Sequence, residues 1–163
     1  MNAEMRPGPG TSTDDREILV TRVLDAPREL VWKAFTDPGH VGHWWGPVGF
    51  TTTSLEMDVR PGGIWRHVMH GPDGVDYPNK TVYWEVVPFE RLVYTNSGGK
   101  KGALVAEFRT TVTFEDLNGK TKLTMRAVFE TAFARDHVIK EYGALEGAHQ
   151  TVARLAEYLP AMA

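Results

Sequence analysis

Apolar and β-branched residues dominate the run EILVTRVL from Glu17 to Leu24, and this pattern predicts a first strand. It stops at Asp25-Ala26-Pro27. An acid able to cap and a proline suited to the first helical turn mark the start of a helix there. Leu30, Val31, Ala34 and Phe35 then share one face at helical spacing, and Asp37-Pro38-Gly39 closes an element of about three turns. A second short helical piece leads into His43-Trp44-Trp45-Gly46-Pro47. From there alternation takes over, and strands are predicted over residues 50–59, 64–70, 81–87, 91–96, 104–115 and 121–130. RPGG at 60–63 reads as a tight reversal and GPDGVDYPNK at 71–80 as a loop. NSGGKKG at 96–102 reads as a flexible connection, and Asp116-Leu117-Asn118-Gly119-Lys120 as a turn of the Asn-Gly type.

The chain closes with helical periodicity from about Arg135 to Leu159, ended by Pro160. Tyr142, Leu145, Ala148, Val152, Leu155 and Leu159 recur at intervals of three and four and form a stripe that needs a partner surface. Six consecutive strands with short links form an antiparallel meander, so the fold class is α+β. Only the last helix is long enough to cover its concave side. A twisted sheet wrapped on one helix rarely fills the space between them, and the volume left over becomes a pocket.

Composition narrows the class further. At 163 residues the chain fits one domain, with residues 1–16 as a mobile Pro/Gly/Ser/Thr/Asp tail and 17–163 as the folded unit. A net charge of −3 with scattered lysines and arginines lacks the footprint of a nucleic-acid binder. The absence of cysteine removes disulfide frameworks and thiolate metal sites, and no run approaches the roughly 18 apolar residues of a membrane span. A soluble, cytoplasmic protein is the expectation.

Several stretches resemble a known family. They are Ala26-Pro27-Arg28-Glu29-Leu30-Val31-Trp32, Asp37-Pro38 ahead of Trp44-Trp45-Gly46-Pro47, and Asp58-Val59-Arg60-Pro61-Gly62-Gly63. With them go Gly71-Pro72-Asp73-Gly74, Pro88-Phe89-Glu90-Arg91-Leu92 and Gly119-Lys120-Thr121-Lys122-Leu123. In this order, over residues 17 to 159, they resemble the homologues of the activator of the heat-shock-protein-90 ATPase, within the START-like, birch-pollen-allergen-like superfamily. The resemblance implies a helix-grip fold: a seven-stranded antiparallel sheet curved around a long C-terminal helix, two short helices between the first and second strands, and an internal cavity. It leaves the function open, because the superfamily holds carriers, cyclases and pure binders. Many relatives carry Gly-Trp in the last helix where this chain has Gly147-Ala148. The missing indole either enlarges the cavity or is replaced from across it by Trp65 or Trp84.

Alternation places Trp65, His67 and Met69 on one face of their strand and Ile64, Arg66, Val68 and His70 on the other. The resemblance turns the first set inward, which makes His67 the titratable residue of most interest. It reads as a satisfied core histidine, a ligand-orienting donor or a general acid or base. Glu56 and Asp58 project from one strand face and are expected to form outward ion pairs with Arg66 rather than an acid–base couple. The six histidines lack metal-ligand spacing, with His40 and His43 three apart and no HExxH, so neither metal nor cofactor is expected. Nucleophile elbows and phosphate loops are absent as well.

Adjacent side chains on a helical turn point about 100° apart, so Trp44 and Trp45 cannot enter one pocket to the same depth. One should plug the core while the other sits at the entrance. The HWWGP segment is therefore expected to form a lid or rim that moves when ligand enters. The expected ligand-binding set is Trp44, Trp45, Trp65, His67, Met69, Tyr83, Tyr142 and Ala148, around a small, apolar or aromatic molecule. Two other functions stand beside binding. One is a cyclase- or hydrolase-type enzyme, which needs a second titratable group near His67. The other is a co-chaperone-like interaction role, weakened by a short tail where the eukaryotic activators carry a further N-terminal domain. Exposed strand edges leave a homodimer open.

Overall fold

The structure, a computed structural model, describes residues 14–98 and 107–162. A 3-10 turn at Asp14–Arg16 opens it, and β1 follows over Glu17–Leu24. Part of the expected tail is therefore built: an Arg16 Nη1 donates to the Phe129 carbonyl at 2.6 Å. Helices α1 (Arg28–Thr36) and α2 (Pro38–Val41) lead to β2 (Thr51–Met57), β3 (Ile64–His70), β4 (Asp76–Val87), β5 (Arg91–Gly98), β6 (Phe108–Leu117) and β7 (Lys120–Phe129). Two helices close the chain, α3 (Ala132–Tyr142) and α4 (Ala144–Met162). The seven strands form one antiparallel sheet in the order β1-β7-β6-β5-β4-β3-β2, so the meander is continuous and β1 returns to pair with its last strand.

Two predicted features differ in the structure. Residues 76–80, expected as loop, extend β4, although they include Pro78. Among the described residues Asp76 to Pro78 pair with β3 only; the Tyr83 N–H points to that side, reaching the Gly63 carbonyl at 3.0 Å, so alternation turns the Pro78 nitrogen away from β3 and no described ladder bond is lost. The predicted start of the next strand at residue 104, like most of the NSGGKKG connection, lies outside the described residues.

The second change is in the C-terminal helix, which is two helices. Gly143 takes the left-handed conformation at φ +61 and ψ +37, and its N–H reaches back to the Ile139 carbonyl. A residue with a Cβ is disfavoured there, so Tyr142-Gly143 is a C-terminal cap rather than part of a continuous stripe. The redirection leaves Tyr142 and Leu145 exposed. Pro160 does not end α4 but sits in its last turn, where it forgoes a single i→i−4 bond.

Two apolar clusters hold the sheet to its helices. The larger packs Leu24, Val31, Phe35, Trp44, Trp65, Leu92, Phe114, Leu123 and Leu155; the smaller contains Ile18, Phe129 and Val138. Among the described residues, Ala148 is the side chain packed against both. The inward residues of α4 near it are small, and the clusters fail to merge.

Candidate functional site

A cavity of about 280 Å³ occupies the space between the two clusters. Its floor is the inner face of the sheet: Ile18 and Val20 from β1, His67 and Met69 from β3, Tyr94 and Asn96 from β5, Thr110 from β6, Met125 and Ala127 from β7. Its roof is the short side of α4, with Ala144, Gly147, Ala148 and Thr151, joined by Val138 and Tyr142 of α3. Trp45, Gly46 and Pro47 close one end. Because Ala, Gly and Thr stand where a large side chain would cross to the sheet, the hollow follows directly from side-chain volume.

Of the residues expected to bind, Trp45, His67, Met69, Tyr142 and Ala148 line this cavity. Trp44, Trp65 and Tyr83 do not. Trp44 is fully buried, donates its Nε1–H to the Ala34 carbonyl at 3.1 Å and packs edge-on against Phe35. It is the core plug, and Trp45 is the residue at the cavity, packed edge-on against Trp65 with ring centroids 5.0 Å apart. Trp65 lies behind His67 rather than beside the hollow, stacked on its ring at 3.7 Å and 19°, with Nε1 donating to Ser54 Oγ. Tyr83 is buried one layer further along β4, next to Tyr94, and burial raises the pKa of its hydroxyl.

Trp84 cannot replace the missing indole. It follows the inward Tyr83, so alternation sets it on the outer face, where it is 53% exposed and donates to Thr95 Oγ1. The volume opposite Ala148 stays open.

His67 is 1% exposed, and its Nδ1 is the buried side-chain atom without a hydrogen-bond partner among the described residues. Burial disfavours the imidazolium and lowers the pKa to about 4, an effect only partly offset by the Trp65 backbone. The ring is therefore neutral at pH 7. Around it the polar groups of the floor satisfy one another. Asn96 Nδ2 donates to Thr81 Oγ1 at 2.9 Å, Thr110 Oγ1 donates to Asn96 Oδ1 at 3.4 Å, and the Tyr94 hydroxyl pairs with Thr110. Burial also raises the pKa of the Tyr94 hydroxyl. Asn79, opposite His67 in the ladder, donates to the Tyr77 carbonyl.

The sequence reading did not identify Asn79, Asn96 and Thr110. The signal was present in the alternation, since Asn96 is two residues from Tyr94 and Thr110 two from Val112 and four from Phe114, all on the inward face. Polar residues at inward positions of central strands mark a surface that faces something other than packed core.

Arg154 was also missed. Its Nη1 donates to the carbonyls of Gly46 at 2.9 Å and Pro47 at 3.1 Å, with longer contacts from Nη1 to Trp45 and from Nη2 to His43. Gln150 accepts from the Val48 N–H, and His43 stacks on Tyr158 at 5.2 Å. Gly46 allows the chain to turn here at φ +103, with Met69 and Phe50 so close that a Cβ would meet them at 3.0 and 3.2 Å. The tryptophan segment is thus a rim fastened to α4 along its length.

The carboxylates stand away from the cavity. Glu56 pairs with Arg66 across the strands at 2.7 Å, as expected, but Asp58 lies past the end of β2 and pairs with Arg60 instead. No group of three or more His, Cys, Asp or Glu among the described residues is arranged to hold a metal. Likewise, no described helix is long and apolar enough to cross a membrane.

A seven-stranded antiparallel sheet gripping a long C-terminal helix above an internal hollow is the helix-grip fold, a ligand-binding architecture. Within it, the chain belongs to the family described as Activator of Hsp90 ATPase homolog 1-like protein, whose model matches residues 25–160. Solved structures agree. Protein CV1439 from Chromobacterium violaceum is 28% identical with a TM-score of 0.75, covering 88% of this chain and 96% of that one. Protein NE0264 from Nitrosomonas europaea is 26% identical with a TM-score of 0.79, over 91% and 96% of the two chains. Protein Ms6760 from Mycobacterium smegmatis shares the fold at 24% identity, with a TM-score of 0.82 over 93% and 96%. Among curated proteins none matches this sequence.

Proposed function

We propose that this protein holds a small, largely apolar molecule in the cavity between the sheet and α4. The observation that carries this reading is the hollow itself, whose walls are mainly aliphatic and aromatic and include no Asp, Glu, Lys or Arg among the described lining residues. At about 280 Å³ it lies just below the about 300–1,000 Å³ of drug-sized sites, so its occupant is a small molecule of at most about three rings. General acid–base catalysis needs a second titratable group tuned beside His67. Tyr94 offers little here, since burial moves its hydroxyl further from neutral pH. This favours binding over the enzyme reading.

The test is titration with N-phenyl-1-naphthylamine, an uncharged apolar fluorophore, followed by its emission and by quenching of Trp45. Saturable binding at one molecule per chain, lost in Ala148→Trp, is the expected result. Binding of equal strength in wild type and Ala148→Trp would place the fluorophore elsewhere and sink the proposal.

A further inference from the structure

The polar atoms on the cavity wall say more about the occupant than its size does. On the floor, Tyr94, Thr110, Asn96 and Thr81 form a chain in which each hydrogen bond is answered by a neighbour. His67 stands outside that chain with Nδ1 buried and unpartnered. An unmet buried nitrogen is costly unless something arrives to meet it. The ring is held in place by Trp65 stacked at 3.7 Å and Trp45 edge-on at 6.2 Å, and so it presents a fixed edge. The remaining titratable groups on the described lining are Tyr94 and Tyr142, and no cation or carboxylate stands there to balance a charged ligand.

We infer that the cavity selects an uncharged molecule carrying a hydroxyl group, phenolic or alcoholic, which makes its hydrogen bond to the imidazole edge of His67. A neutral imidazole has one N–H and one lone pair, and beyond the influence of the Trp65 backbone no hydrogen bond among the described residues fixes which nitrogen carries the proton. A hydroxyl both donates and accepts, so it fits either tautomer; a carbonyl only accepts and fits one, and an amine that is protonated at neutral pH brings a charge with no partner on the wall. An ionised carboxylate would enter with no counter-charge and lose its hydration, unless it brought a proton to the histidine. This inference rests on the binding reading above and refines it.

The experiment is displacement of N-phenyl-1-naphthylamine at pH 7.5 by three molecules of like shape: 4-phenylphenol, biphenyl and biphenyl-4-carboxylate. For the wild-type chain 4-phenylphenol should displace the fluorophore about tenfold more strongly than biphenyl, the worth of one net hydrogen bond. The carboxylate should displace it weakest of the three. In His67→Phe the advantage of 4-phenylphenol over biphenyl should vanish while biphenyl still binds. Repeating the wild-type titration between pH 5.5 and 8 guards against a variant that misfolds, since the phenol's affinity should stay flat throughout. Equal displacement by carboxylate and phenol at pH 7.5 would overturn the inference. So would a phenol preference that survives in His67→Phe. In each of those cases the fluorophore still binds; if it never binds, the cavity reading fails and this inference goes with it.

Discussion

Replacing His67 with phenylalanine tests the electrostatics of the cavity wall without any ligand. The substitution keeps a flat ring to stack on Trp65 at the observed 3.7 Å and removes the unpartnered Nδ1. Relieving a buried unmet nitrogen is worth about 1–3 kcal/mol, so at pH 7.5 the variant should be more stable than wild type by roughly that amount. The pH dependence is more telling. The pKa of His67 falls from 6.5 to about 4 on folding, so between those values the unfolded chain binds more protons than the native one. Stability therefore falls as pH drops from about 6.5, and the loss levels off below about pH 4, where both states are protonated. At about 1.4 kcal/mol per unit the total is on the order of 3 kcal/mol. Urea unfolding of ligand-free wild type and His67→Phe at pH 7.5, 6.5, 5.5 and 4.5 measures it, because the carboxylates titrate alike in both proteins and cancel in the difference. The gap should widen steadily with acid. A gap independent of pH would mean that the native state protonates His67 as easily as the unfolded chain does, and the picture of a dry, unpaired imidazole would be wrong.

Further tests address the other walls. Ala148→Trp should project an indole into the hollow and raise the melting temperature in thermal unfolding, since a buried tryptophan removes about 150–250 Å² of apolar surface from water; a fall in melting temperature would mean that the space is too narrow to take the ring. Arg154→Met should free the carbonyls of Gly46 and Pro47, and hydrogen exchange across residues 45–50 should accelerate by at least tenfold, while strand amides keep wild-type protection. Gly143→Ala places a Cβ on a residue at φ +61 with nothing within 4 Å, so it should cost about 1 kcal/mol through backbone strain alone.

Much of the scaffold was legible from local pattern. EILVTRVL reads as a strand and is one, and the Asn118-Gly119 reversal reads as a hairpin with φ of +53 and +90. The inward set on β3 was partly resolved by alternation: Trp65 and His67 are buried while Arg66 is exposed. Gly143 shows the limit. It fell within a periodic apolar stripe, and its role as a cap was masked by the hydrophobic spacing on either side of it. Trp84 was legible, because it follows the inward Tyr83 and alternation alone sets it on the outer face; the bulge between Tyr83 and Glu85 is what alternation cannot anticipate.

The sequence by itself determined the seven strands, their order and the shortage of bulk at Gly147 and Ala148, since each depends on spacing or side-chain size along a single stretch. Only tertiary structure decided that Trp44 fills the core while Trp45 meets the cavity, that Trp65 backs His67, and that Arg154 fastens the rim from 108 residues away. Those outcomes turn on which surfaces meet once the sheet has twisted around its helix. No local pattern contains that information, because whether a histidine is paired or left unmet is a property of everything packed around it.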